Sequence, residues 1–188
     1  MTREWKAILA EHQQVVSGMA EAASILDRIA EAIIACLRAG KRVYVFGNGG
    51  SAADAQHIAA ELVGRYRLER RALPAVALTT DASILTAVSN DLGFEQVFAR
   101  QLAGLVNAGD VAWALSTSGN SPNVLAAVRV AAEREATTIG FTGRTGGRLA
   151  ELCTHVLHVP HDDADRIQEA HVLAYHYVCE RVEAAMAE

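Results

Sequence analysis

A short run of β-branched and aromatic residues, Val43-Tyr-Val-Phe46, ends in Gly47-Asn-Gly-Gly-Ser51 and passes without a linker into Ala52-Ala-Asp-Ala-Gln-His57-Ile-Ala-Ala-Glu61. A buried strand, a glycine turn and a helix in immediate succession form half of a βαβ unit, which commits the chain to a parallel sheet covered by helices. Similar runs recur at Ala75 to Leu78, Val111 to Leu115, Thr138 to Phe141 and His155 to Val159, and the first one begins at Arg42. Most are separated by enough helix-forming sequence for a crossover. Thr142 to Leu152, with Gly143, Gly146 and Gly147, has room for only a short helix.

From Glu4 to Leu37 the apolar residues Ile8, Val15, Val16, Met19, Ile25, Leu26, Ile29, Ile33 and Ile34 fall at helical spacing with no proline, which predicts one long helix or two shorter ones. A last helix is expected from Ala164 to Met186. The expected fold is therefore α/β, a three-layer parallel five-stranded sheet flanked by helices, with long N-terminal and C-terminal helices. One domain is expected over residues 1–188. Residues 1–40 carry more apolar surface than a five-stranded sheet needs for cover, so they read as an oligomerisation segment within it.

Composition narrows the function. The formal net charge of -5 leaves no basic footprint for gripping a nucleic-acid backbone. No apolar run approaches the roughly 20 residues of a membrane span, and the start Met1-Thr-Arg-Glu-Trp5 is polar, so a cytoplasmic protein is expected. The 3 cysteines, Cys36, Cys153 and Cys179, are widely spaced and odd in number, which argues against a disulfide framework or a thiolate zinc site.

Four constellations carry chemistry. In Asn48-Gly49-Gly50-Ser51 the glycines let backbone N–H groups approach an anion, with Asn48 and Ser51 adding side-chain donors; the bland alternative is a tight turn with Ser51 as a helix cap. In Ser116-Thr117-Ser118-Gly119-Asn120-Ser121-Pro122 four hydroxyls surround one glycine just before a helix with proline near its first turn, a neutral cradle for a phosphate dianion. A single serine would suffice for capping alone. His57 and Glu61 share a helix face and can move protons or hold a metal, although such a pair can also be structural. On the last helix Gln168 and His176 fall within about 80° of arc while His171 points away, so His171 is set aside as a decoy. Neither a GxGxxG fingerprint nor a Walker loop is present. Arg65, Arg67, Arg70 and Arg71 read as a solvated loop, with substrate steering as the minority reading.

The segments GNGGSAADAQHIAAELVGRY, LTTDASILTAVSNDLGFEQVF, STSGNSPN and DRIQEAHVLAYH together resemble the sedoheptulose 7-phosphate (phosphoheptose) isomerases of the sugar-isomerase (SIS) fold, over nearly the whole chain. The resemblance implies that Ser116, Thr117, Ser118 and Ser121 bind the substrate phosphate. Asn48, Gly49, Gly50, Ser51, Asn90 and Asp91 would line the sugar, with Glu61 and Gln168 also touching it. It makes Glu61 and His176 the acid/base pair and lets His57, Glu61, Gln168 and His176 coordinate one zinc ion. Gln is an uncommon zinc ligand, so these side chains alternatively bind the sugar directly. The family also implies a homotetramer with active sites between subunits. Glu135 departs from the family's helix-ending glycine and puts stability in slight doubt.

The expected activity is conversion of D-sedoheptulose 7-phosphate to D-glycero-D-manno-heptose 7-phosphate through an enediol, for heptose biosynthesis and lipopolysaccharide precursors. The rival is a non-catalytic SIS-domain tetramer that binds the replication initiator protein. A sugar-phosphate-sensing regulator lacks support, because no helix-turn-helix segment accompanies the domain. Asp91, Asp165 and His176 are unranked candidates for assisting ring opening.

Overall fold

The computed structural model describes residues 2–187. The N-terminal segment divides into α1 (Trp5–Ser17) and α2 (Ala23–Arg38), with a 3-10 turn at Ala20–Ala22 between them. There follow β1 (Val43–Gly47), α3 (Gly50–Val63), β2 (Ala75–Ala77), α4 (Ala82–Leu92), α5 (Ala99–Leu105) and β3 (Val111–Leu115). The chain continues with α6 (Pro122–Glu133), β4 (Thr137–Thr142), α7 (Leu149–Leu152), β5 (His155–His158) and α8 (Ala164–Met186).

The five strands form one parallel sheet in the order β2-β1-β3-β4-β5. Alternation along the strands separates two cores. Val43, Val45, Val111, Trp113 and Phe141 pack with α2, α3 and α8, whereas Tyr44, Phe46, Ala112 and Ala114 pack with α5, α6 and α7. The expected three layers are therefore present, and the short helix between β4 and β5 is the four-residue α7.

The strand order decides where a ligand binds. From β1 the chain moves to β2 on one side and then returns as β3 on the other, so the direction of winding reverses between β1 and β3. Crevices in open α/β sheets open at such a reversal, beyond the carboxyl ends of the strands. Gly47 is registered against Leu115, so the Asn48 turn and the Ser116 loop leave the sheet side by side. α4 contrasts with the other helices in having no buried residue. Glu135 adopts φ 59°, a left-handed conformation that glycine accepts without strain and glutamate does not.

Candidate active site

The hydroxyl loop is held by the backbone rather than by charge. Ser121 is the N-cap residue of α6 and Pro122, which has no N–H, is its first residue; Val124 N–H donates to Asn123 Oδ1 at 3.0 Å, so the Asn123 N–H is the one of the first turn left for a ligand. Ser116 Oγ and Ser121 Oγ are 3.0 Å apart, Thr117 O accepts from Gly143 N at 3.0 Å, and Asn120 Oδ1 accepts from Arg148 N at 3.1 Å. Gly119 has φ 63°, and a Cβ there would strike the Gly146 carbonyl, so the loop lies directly on the Gly143–Gly147 turn. Ser116 is buried, while Ser118 is exposed and accepts from Asn120 N at 3.2 Å.

Asn48 bridges this loop to the first turn. It exchanges two 2.8 Å amide hydrogen bonds with Asn123, which fixes the end of β1 to the start of α6. Ser51 is buried in the first turn of α3 and does not cap it; the N-cap position belongs to Gly49.

The expected acid/base groups lie on α3 and α8 of the same chain. One donor atom each from His57, Glu61 and His176 falls within 4.8 Å of the other two. His57 Nε2 is 3.0 Å from Glu61 Oε1, and the Tyr175 hydroxyl is 2.9 Å from His57 Nδ1. The His176 ring meets His57 edge-on at 5.0 Å and stacks on Tyr66 at 5.7 Å. Burial, then the neighbouring His57 and Arg67, lower the His176 pKa against the opposing pull of Glu61. The lowered pKa favours the neutral ring, the form able to accept a proton.

Gln168 reaches α3 from across the crevice. Its Nε2 donates to Asp54 Oδ2 at 3.0 Å, which leaves the amide oxygen for another partner. Burial raises the Asp54 pKa, opposed by the Gln168 hydrogen bond and by His57. The approach needs Gly50, because a Cβ at that position would overlap the Gln168 amide. His171 is fully buried and pairs with the Thr142 carbonyl at 3.3 Å, a core role.

This donor set fits a zinc ion. Two imidazoles and a carboxylate converge, an amide oxygen is close to the same helix, and His57 has the outer hydrogen-bond partner that a metal-bound histidine usually has. The Tyr175 hydroxyl suits either imidazole tautomer, since it donates or accepts. Glu11, His161 and Asp163 form a second such cluster, but Arg3 at 2.7 Å and Arg166 at 3.8 Å from Glu11 already neutralise it.

Asn90 and Asp91 sit exposed on α4, where the Asn90 amide donates to Asp91 at 2.7 Å; among the described residues no hydrogen bond ties them to either half of the site. Asp165 is held by Arg3 at 3.0 Å and Arg166 at 3.4 Å. The arginine run is not uniformly solvated. Arg70 is buried against Glu183, Arg65 pairs with Glu69 and Arg67 pairs with Glu180. Asp54, Tyr175 and Asn123 are site residues that motif reading missed. Asp54 had a signal, since Asp54, His57 and Glu61 recur along one face of α3.

A hydroxyl-rich loop at the reversal point of a parallel sheet, in a chain that also gathers two imidazoles and a carboxylate between α3 and α8, is the equipment of a phosphosugar-binding α/β domain with acid/base groups. Residues 8–143 match the family model described as SIS domain. The chain is 56% identical over 161 residues to the phosphoheptose isomerase of Bradyrhizobium sp. (strain BTAi1), covering 86% of this chain and 81% of that protein. It is 50% identical over 190 residues to the phosphoheptose isomerase of Aquifex aeolicus, covering 100% and 99%. A solved phosphoheptose isomerase of Neisseria gonorrhoeae superposes with a TM-score of 0.91 at 43% identity, covering 95% of this chain and 96% of that one. The chain belongs to the phosphoheptose isomerase family of SIS domains.

Proposed function

We propose that this chain is an aldose–ketose isomerase that converts D-sedoheptulose 7-phosphate to D-glycero-D-manno-heptose 7-phosphate in heptose biosynthesis, a reaction within the phosphoheptose isomerase activity that its relatives are named for. The observation that carries the reading is the convergence of His57, Glu61 and His176 within 4.8 Å, on helices that flank the crevice opened beside the hydroxyl loop. The initiator-binding alternative is not favoured by relatives that are half or more identical and are named as isomerases.

The chemistry follows from the residue types. The hydroxyls of Ser116, Thr117, Ser118 and Ser121 and the Asn123 N–H in the first turn of α6 anchor the phosphate. Asn48 and the Gly49–Ser51 turn line the sugar. Glu61, an acceptor when ionised, removes the proton from the hydroxyl-bearing carbon beside the carbonyl; His176 takes the hydroxyl proton of that carbon and passes it to the former carbonyl oxygen, and the Glu61 carboxylic acid then returns a proton to the former carbonyl carbon. His57 holds Glu61 in place through its 3.0 Å contact. His57, Glu61, the Gln168 oxygen and His176 would hold zinc, which as a Lewis acid supplies polarisation of the substrate carbonyl.

We also propose a homotetramer. Its support is an apolar groove lined by Val16, Met19, Ala20, Ala23, Leu173 and Tyr177, together with Trp5 at 71% exposure and the uncovered α4. Asn90 and Asp91 reach a sugar only if assembly brings α4 to a site. A cytoplasmic location is supported by the 3 free thiols. No helix among the described residues is long and apolar enough to cross a membrane.

The test is to mix purified protein with sedoheptulose 7-phosphate and follow aldose formation. Turnover is expected; none with or without added zinc would overturn the reading.

A further inference from the structure

Two helical turns beyond His176, α8 makes a second contact, with the segment that follows α3, that the chemistry above does not use. Glu183 is 2% exposed and accepts three successive backbone N–H groups, from Tyr66 at 2.7 Å, Arg67 at 2.6 Å and Leu68 at 2.9 Å. Arg70 Nε lies 3.4 Å from its Oε1, with both side chains almost wholly buried. That separation gives ionic attraction without hydrogen-bond geometry.

Arg70 reaches in the other direction as well. Its Nη2 donates to the Glu61 carbonyl at 2.7 Å and its Nη1 to the Gly64 carbonyl at 3.1 Å, so it satisfies the last turn of the helix that carries Glu61. The segment clamped between Glu183 and Arg70 crosses the proton-moving site. Tyr66 stacks on His176 at an interplanar angle of 28°, and the Arg67 guanidinium lies over the Tyr66 ring, 4.9 Å from its centroid.

Stability alone is a weak reason for such a pair. Burying two charges costs several kcal/mol for each ion, and apolar replacements of similar volume often fold as well or better. A buried pair that fixes geometry has a different use, because an error of about 1 Å in the placement of reacting groups costs on the order of 100-fold in rate.

We propose that Glu183 and Arg70 are positioning residues for the isomerisation. They fix the end of α3 and the Gly64–Arg70 segment against α8, so that the Glu61 carboxylate and the Tyr66-backed His176 ring meet substrate in one geometry. This rests on the isomerase reading given above. Neither residue touches the sugar.

The test is a double-mutant cycle. Glu183→Gln is expected to remain folded while kcat falls about 10-fold or more and KM stays within about 3-fold, as for groups displaced from a bound substrate. Tyr66→Leu is expected to reproduce that split, and the double variant to be no slower than the slower single, because both act through one segment. A kcat loss no larger than the unfolded fraction, or losses that multiply in the double variant, would overturn the proposal. If Glu183→Gln does not fold, Tyr66→Leu decides, and normal kcat there overturns it.

One readout stands apart from turnover. Amide hydrogen exchange at Tyr66, Arg67 and Leu68 and the His176 ring proton shifts are expected to change in Glu183→Gln. If both match the parent protein, the clamp is refuted whether or not that protein isomerises sugar. Absent turnover in the parent with both readouts altered refutes the isomerase reading and leaves the clamp intact.

Discussion

Replacing Gly50 by alanine separates the fold from the site. Gly50 opens α3, and a Cβ built there would lie 2.6 Å from Gln168 Cδ and nearer still to both terminal amide atoms. The three nearest atoms all belong to the unbranched Gln168 side chain, which can swing away. Alanine in place of glycine favours the helix by at most about 1 kcal/mol. Displacing Gln168 removes its hydrogen bond to Asp54, and a bond to a charged group contributes about 1.5–3 kcal/mol. Asp54 is 6% exposed, so water replaces the lost donor poorly. The net destabilisation is about 1–2 kcal/mol, a fall in Tm of about 2–8 °C for a chain of this size. Loss of Gln168 from the ligand set is expected to lower zinc affinity and turnover by about 10–100-fold. Calorimetry paired with turnover across a zinc titration checks both halves. Unchanged turnover and zinc dependence in a folded Gly50→Ala protein would refute the assignment of Gln168 to the site.

Three further outcomes are expected. Ser118→Ala removes an exposed hydroxyl and should raise KM for phosphorylated sugars with little change in Tm; unchanged affinity for phosphate esters by calorimetry would place the phosphate elsewhere. His171 is buried, and burial holds its pKa down to about 4 against an ordinary 6.5. The unfolded chain binds a proton below pH 6.5 that the folded chain refuses, so stability falls by about 1.4 kcal/mol per pH unit until the folded pKa is reached. Denaturant unfolding between pH 7 and pH 4 should show this contribution as a steeper slope in the parent than in His171→Gln, where the lowered pKa values of His155 and His176 still act; equal slopes would contradict the assignment. Glu135→Gly relieves a left-handed residue and should raise Tm by a few degrees, about 0.5–1 kcal/mol, whereas a fall would show that Glu135 is not strained.

Local pattern made much of this molecule legible. The Val43–Glu61 segment announced a strand, a turn and a helix, and strands alternating with helices announced a parallel sheet covered on both faces before any pairing was known. Gln168 and His176 were readable as one face of α8, with His171 excluded, because helical geometry alone sets those directions. Tertiary partnerships were not legible. Nothing local marks Asn123 as the partner of Asn48, Tyr175 as the partner of His57, or Glu183 as the acceptor for a loop more than a hundred residues away in sequence. Arg70 was hidden among neighbours that do face solvent. The isolation of α4 was also invisible, since Ile84 and Leu92 pattern like core residues yet lie at 40% and 54% exposure.

The central claim is that Glu61, presented by α3 beside His176 of α8, moves the carbon-bound proton of the substrate. The direct measurement is exchange of that hydrogen with solvent in D2O, followed by NMR on sedoheptulose 7-phosphate and the aldose formed from it. The parent protein should yield aldose carrying deuterium at the former carbonyl carbon, and Glu61→Gln should slow both exchange and product formation by about 100-fold or more. Exchange in Glu61→Gln as fast as in the parent protein would contradict the account.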